Sequence, residues 1–216
     1  MTENEYGVLS TYVGNAKQDL NTQGEVVIGH PRYTVPVICS VIRGGNNAVR
    51  NHQAGGATCL SKPALSLTWA AGWSFAKCHF ERNVPNDPLL EGMFDGEEFS
   101  RMLRLWTHGY DTYTPHRAVV FHDYRHGEQW QRGREGSWGR NRANIKRALK
   151  RYNALVERPG APAVALGRFG LGDRRTVDQY IEFAGIDPRH TKTVKEGLCG
   201  KLKQVFFYHS RTPFIE

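Results

Sequence analysis

The chain has no CxxC pair, no apolar run approaching a membrane span, no internal repeat and no low-complexity tract. Its four cysteines (Cys39, Cys59, Cys78, Cys199) stand far apart. At this length that spacing excludes a disulfide-built scaffold and argues against a structural zinc site. A membrane-spanning helix needs roughly 20 apolar residues in succession, so no membrane partner is expected. The opening Met1-Thr-Glu-Asn-Glu-Tyr6 is acidic and polar, unlike a secretory signal. Together these absences predict reduced thiols and a cytoplasmic setting.

What is present suffices for a core. Of 216 residues, 39% are hydrophobic and 11% aromatic, with a mean hydropathy of −0.55. That excludes wholesale disorder and matches one large domain, or two small ones sharing a core. The charge is uneven. Residues 125 to 151 hold nine Arg or Lys against two Glu, a net +7 of the chain's formal +8. Such a block suits a nucleic acid, a nucleotide diphosphate or an acidic protein, and equally suits a solvated basic helix. Only Trp130 and Trp138 interleave with it, and no recognition motif is present, which makes nucleic acid the least favoured partner.

Tyr6 to Val13 and Val35 to Ile42 are apolar and β-branched and read as strands, the second with Pro36 at a sheet edge. Residues 43 to 58 carry four glycines and three asparagines and read as a loop. Leu65 to Ala76 is uncharged, apolar and aromatic, and reads as a buried strand. Gly72 within it predicts a close approach to the backbone. After Asp95-Gly96, the residues Phe99, Met102, Leu103 and Trp106 recur at helical spacing, with Arg101 and Arg104 assigned to the opposite face. Asp95 is the expected N-cap, and Glu97 and Glu98 fall in the electropositive first turn. Ala118 to His122 reads as a short strand, Asn141 to Val156 as a basic amphipathic helix, and Arg175 to Ala184 as a last helix. The order implies an α/β or α+β fold. Residues 1–125 form its main part, and a basic helical region, 126–216, packs on it.

Residues 68 to 125 concentrate polar and aromatic groups. Taken singly, each has a bland reading: Glu97 and Glu98 as helix-dipole complements, His122 as a surface histidine, Trp106 as core. Taken together, Ala-Gly-Trp-Ser-Phe-Ala at 71–76, Val-Pro-Asn-Asp-Pro-Leu-Leu at 84–90 and Asp-Gly-Glu-Glu-Phe-Ser at 95–100 resemble one family. So do Arg-Leu-Trp-Thr-His-Gly-Tyr-Asp-Thr-Tyr-Thr-Pro at 104–115 and Val-Val-Phe-His-Asp-Tyr at 119–124. The resemblance is to the Skp1-type hydroxyproline and polypeptide GlcNAc-transferases, and more distantly to the polypeptide GalNAc-transferases. It runs from about residue 6 to about residue 190.

The resemblance implies the C-terminal half of a Rossmann-like A-type glycosyltransferase fold, α/β with a mixed sheet and a helical C-terminal extension. It implies transfer of a sugar, GlcNAc by family, from a UDP-sugar donor to a protein or peptide hydroxyl with retention. Glu97 and Glu98 would be the catalytic acidic pair. Gly72, Trp73, Asp95 and Gly96 would meet sugar or acceptor, and Tyr124 and Arg125 the diphosphate. His122 would complete the shell of a divalent cation, Mn²⁺ or Mg²⁺. A feature of the family is not here: the chain contains no Asp-x-Asp or Asp-x-His. The metal site is therefore expected to be incomplete, a separate N-terminal half is a possible partner, and the chain alone is expected to turn over little UDP-GlcNAc. The alternative is a non-catalytic acceptor-binding remnant.

Overall fold

The structure is a computed structural model that describes residues 4–25, 35–42, 47–57, 60–124 and 142–195. The chain opens with β1 (Gly7–Thr11), β2 (Gly14–Asn15) and α1 (Ala16–Asp19). A hairpin follows, β3 (Val35–Ile42) and β4 (Val49–Ala57), then β5 (Ala64–Leu65), β6 (Trp73–Phe75) and α2 (His79–Asn83). Next come α3 (Glu97–Thr107), β7 (Asp111–Thr114), β8 (Phe121–His122) and α4 (Arg142–Leu155). The described chain closes with α5 (Val177–Ala184), β9 (Ile186–Asp187) and β10 (Lys192–Thr193).

The central sheet has the order β5-β7-β1-β6. β1 runs parallel to β7 and antiparallel to β6, so the sheet is mixed and the protein has α/β character, as expected. One hydrophobic core joins β1, β4, α3, α4 and α5, with Val8, Val49, Phe99, Tyr152 and Tyr180 at its centre. The final helix begins two residues later than expected, because Thr176 and Gln179 form a reciprocal capping box.

Three local expectations are corrected. Leu65 to Ala76 is not one strand, because the backbone of its middle is held by side chains instead of a ladder. Ser10 Oγ donates to Ala70 O at 3.0 Å and accepts from Ala70 N–H at 2.8 Å, and the Tyr180 hydroxyl donates to Leu67 O at 2.9 Å. Residues 49 to 57 are not a loop but β4, paired along its length with β3. The strand before His122 is reduced to Phe121–His122, since Val119 and Val120 are exposed and have no core to cover.

α3 departs from its simple amphipathic reading as well. Phe99, Met102 and Leu103 are buried as the spacing requires, but Leu105, Arg101 and Arg104 are buried too. Arg101 is not on a solvent face. It lies 4.6 Å from the ring centres of both Trp69 and Phe80 and pairs with Glu81 at 2.7 Å. Long guanidinium side chains can pack flat against aromatic faces, which makes this burial tolerable.

Candidate functional site

The N-terminus of α3 opens into a cleft of about 380 Å³. Its start is set by Gly96, not Asp95. Gly96 is the N-cap and adopts φ 99°, a conformation that favours glycine. A Cβ there would stand 2.6 Å from Met93 Cε and 2.8 Å from Ala48 Cβ. Asp95, one residue outside, pairs instead with Arg50 Nε at 3.3 Å. The guanidinium of Arg50 also lies 5.3 Å from the centre of the Phe94 ring.

Glu98 is anchored on the cleft wall. Its Oε1 accepts from Ala71 N–H at 2.7 Å and its Oε2 from Asn51 Nδ2 at 3.0 Å, with the Tyr12 hydroxyl 3.5 Å away. Each partner is itself held. Asn51 Nδ2 also donates to Trp69 O at 2.6 Å, and Asn51 Oδ1 accepts from the Thr68 hydroxyl at 2.8 Å. The two bonds between Ser10 and Ala70 place the next peptide, so Ala71 N–H is aimed at the carboxylate. Preorganised donors of this kind fix a charge without reorganisation.

Burial pushes the Glu98 carboxyl above its ordinary value, against the lowering effect of Ala71 N–H, Asn51, Tyr12 and Arg50. Burial, and then repulsion from Glu98, raise Glu97 as well, with Arg101 opposing. Burial and the neighbouring Glu98 charge likewise push the Tyr12 phenol up. The two glutamates are unequal: Glu98 is built into the wall, and the Glu97 carboxylate has no hydrogen-bond partner among the described residues.

The structure separates the residues singled out in the sequence. Glu97, Glu98 and Gly96 line the cleft together, with Asp95 bound to its rim through Arg50. Ala71 lines it, but Gly72 and Trp73 do not. Gly72 is exposed, and a Cβ there would meet its nearest neighbour at 3.5 Å, so no close approach demands a glycine. His122 is exposed in the β2–β8 pair opposite Asn15, and its ring lies 4.4 Å from that of the exposed Tyr124. Arg125 and most of the basic block lie outside the described residues.

A cation shell needs several oxygen or nitrogen ligands converging on one point. Among the described residues, His, Cys, Asp and Glu nowhere gather in groups of three that could hold an ion. His122 therefore belongs to no such group there, and those residues do not by themselves fit a Mn²⁺ or Mg²⁺ centre.

Sequence reasoning missed Tyr12, Arg50, Asn51, His52 and Phe94, all of which line the cleft. Arg50, Asn51 and His52 were lost by reading β4 as a loop. The signal available was Ala48-Val-Arg-Asn-His52, a short run without glycine between the two glycine pairs.

A mixed sheet with helices, of this α/β character, is consistent with a glycosyltransferase domain. The family comparison agrees: the Glycosyltransferase (GlcNAc) family model matches residues 8–190, and the chain belongs to that family. No curated protein and no solved structure matches. Among the described residues no helix is long and apolar enough to cross a membrane.

Proposed function

We propose that the chain is a metal-dependent glycosyltransferase, or one half of such an enzyme, that transfers a sugar, GlcNAc, from a UDP-sugar to a hydroxyl of a protein or peptide with retention, and that the α3 cleft holds the sugar and acceptor side of that reaction. The observation that carries this reading is the anchored Glu98 beside the unanchored Glu97 in a cleft of about 380 Å³. Carboxylates accept hydrogen bonds from sugar hydroxyls, and Phe94 and Tyr12 offer apolar faces to a ring. The charge balance also favours it. Two glutamates face Arg50, whose guanidinium already pairs with Asp95, so a diphosphate in this cleft would meet repulsion. In this scheme the diphosphate lies elsewhere, toward Tyr124 and Arg125.

Glu98 holds Asn51 and Ala71 in place, and Glu97 orients the hydroxyl or stabilises positive charge developing at the anomeric carbon. His122 is proposed as one ligand of a Mn²⁺ or Mg²⁺ ion whose other ligands come from outside the described residues. A second reading, a non-catalytic acceptor-binding remnant of the Skp1-type branch, rests on the lack of an Asp-x-Asp motif in the sequence.

Ligand-observed NMR on the purified chain tests the cleft. N-acetylglucosamine is expected to bind, Glu97→Ala and Glu98→Ala to weaken it at least tenfold, and UDP alone to leave it in place. Displacement by UDP would put the nucleotide in the cleft and overturn the assignment. Robust turnover of UDP-GlcNAc with Mn²⁺ would reject the remnant reading.

A further inference from the structure

A second, smaller cavity of about 10 Å³ is lined by Asp87, Leu90, Arg104, Arg151, Leu155 and Phe169 among others, and it shares no lining residue with the α3 cleft. It has room for about one water-sized particle. Two buried arginines border it, Arg151 at 6% and Arg104 at 1% exposure. Their situations differ.

Arg151 is satisfied. Its Nε and Nη2 donate to Asp87 Oδ2 at 2.9 and 2.8 Å, and its Nη1 donates to Ala165 O at 3.2 Å. The other Asp87 oxygen accepts from Leu89 N–H at 2.9 Å. Arg151 and Asp87 thus form a neutral, fully bonded pair. Arg101, on the same helix as Arg104, is matched by Glu81.

Arg104 is the surplus cation. Its Nη1 donates to Pro85 O at 2.7 Å, but its Nε and Nη2 are buried with no hydrogen-bond partner among the described residues. No described carboxylate forms an ion pair with it, and the Phe169 ring covers its face at 5.6 Å. Burial pushes its pKa down to about 10, with Asp87 opposing and Arg101, Arg151 and Arg168 adding to the fall. At neutral pH the guanidinium therefore stays charged. A buried charge without a counter-charge is strongly unfavourable, and buried N–H donors without acceptors add to the cost.

We propose that this cavity is a binding site for one monoatomic anion, chloride, held by Arg104 Nε and Nη2. A halide accepts hydrogen bonds from any direction, matches the single-particle volume and cancels the surplus charge. A water molecule supplies the acceptors but not the charge, and phosphate or carboxylate exceeds the volume. The site joins α3 and α4, and nothing in the glycosyltransferase reading assigns it.

Two measurements on the wild-type chain test the proposal. Crystals soaked in bromide should show an anomalous peak within hydrogen-bonding distance of Arg104 Nε and Nη2. Tm should be about 3–6 °C higher in chloride than in gluconate at equal ionic strength, for chloride at roughly ten times its Kd. Arg104→Met should abolish both effects, and the wild-type results stand alone if that variant does not fold. A bromide map without the peak, or the same Tm in both salts, overturns the proposal.

Discussion

The Tyr152 hydroxyl accepts a hydrogen bond from Val49 N–H at 3.0 Å, which ties the basic helix α4 to the strand that carries Arg50 and Asn51. The hydroxyl is fully buried, and burial pushes its pKa up to about 12, so it stays neutral across the working range. Tyr152→Phe leaves the buried Val49 N–H without an acceptor. The expected loss is about 1–3 kcal/mol by urea unfolding, with faster amide exchange at Val49. Unchanged exchange at Val49 would show that the bond does not hold the strand.

Two glycines in the same family motifs should respond in opposite ways. Gly96→Ala forces a side chain into φ 99° and against Met93 and Ala48, so a loss of about 2–4 kcal/mol is expected. Gly72→Ala meets only ordinary contacts and should stay within about 0.5 kcal/mol of wild type. Equal losses in the two variants would contradict the geometry.

Asn51 donates to both Glu98 and Trp69 O, and it accepts from Thr68. Asn51→Ala removes all three bonds in a buried setting. It should cost about 2–4 kcal/mol, since the partners it leaves are buried without replacement. N-acetylglucosamine binding measured below the unfolding transition should weaken with it. Retained binding in a destabilised variant would confine Asn51 to the fold.

The acidic pair sets a pH signature. Glu97 and Glu98 have pKa values raised by folding, so the native state binds more protons than the unfolded chain just above their ordinary value of 4.5. Their contribution to stability is full below the unfolded value and falls as pH rises through the folded values. Glu97→Gln removes part of that fall. Its Tm should exceed wild type at pH 7, and the two should converge below about pH 4. A gain that grows on acidification would reverse the sign and refute the assignment.

Much of the fold was legible in local pattern. β3 spans Val35–Ile42 as its apolar run indicated, and α3 begins beside Glu97 and Glu98 because Asp95-Gly96 interrupts the chain there. The sequence by itself also carried the broader family, glycosyltransferase (GlcNAc), since the spacing of the acidic pair and the motifs around it survives in one dimension. Only tertiary structure decided which residues share the cleft. Tyr12, Asn51, Ala71 and Glu98 are separated by up to 86 positions, and backbone and side-chain hydrogen bonds bring them together. A backbone donor such as Ala71 N–H leaves no trace in residue type. Burial of Arg101, Arg104 and Arg151 was hidden for a related reason. Charge and helical period assign arginine to solvent, and only the aromatic faces, Glu81 and Asp87 supplied by other segments make the interior hospitable to Arg101 and Arg151.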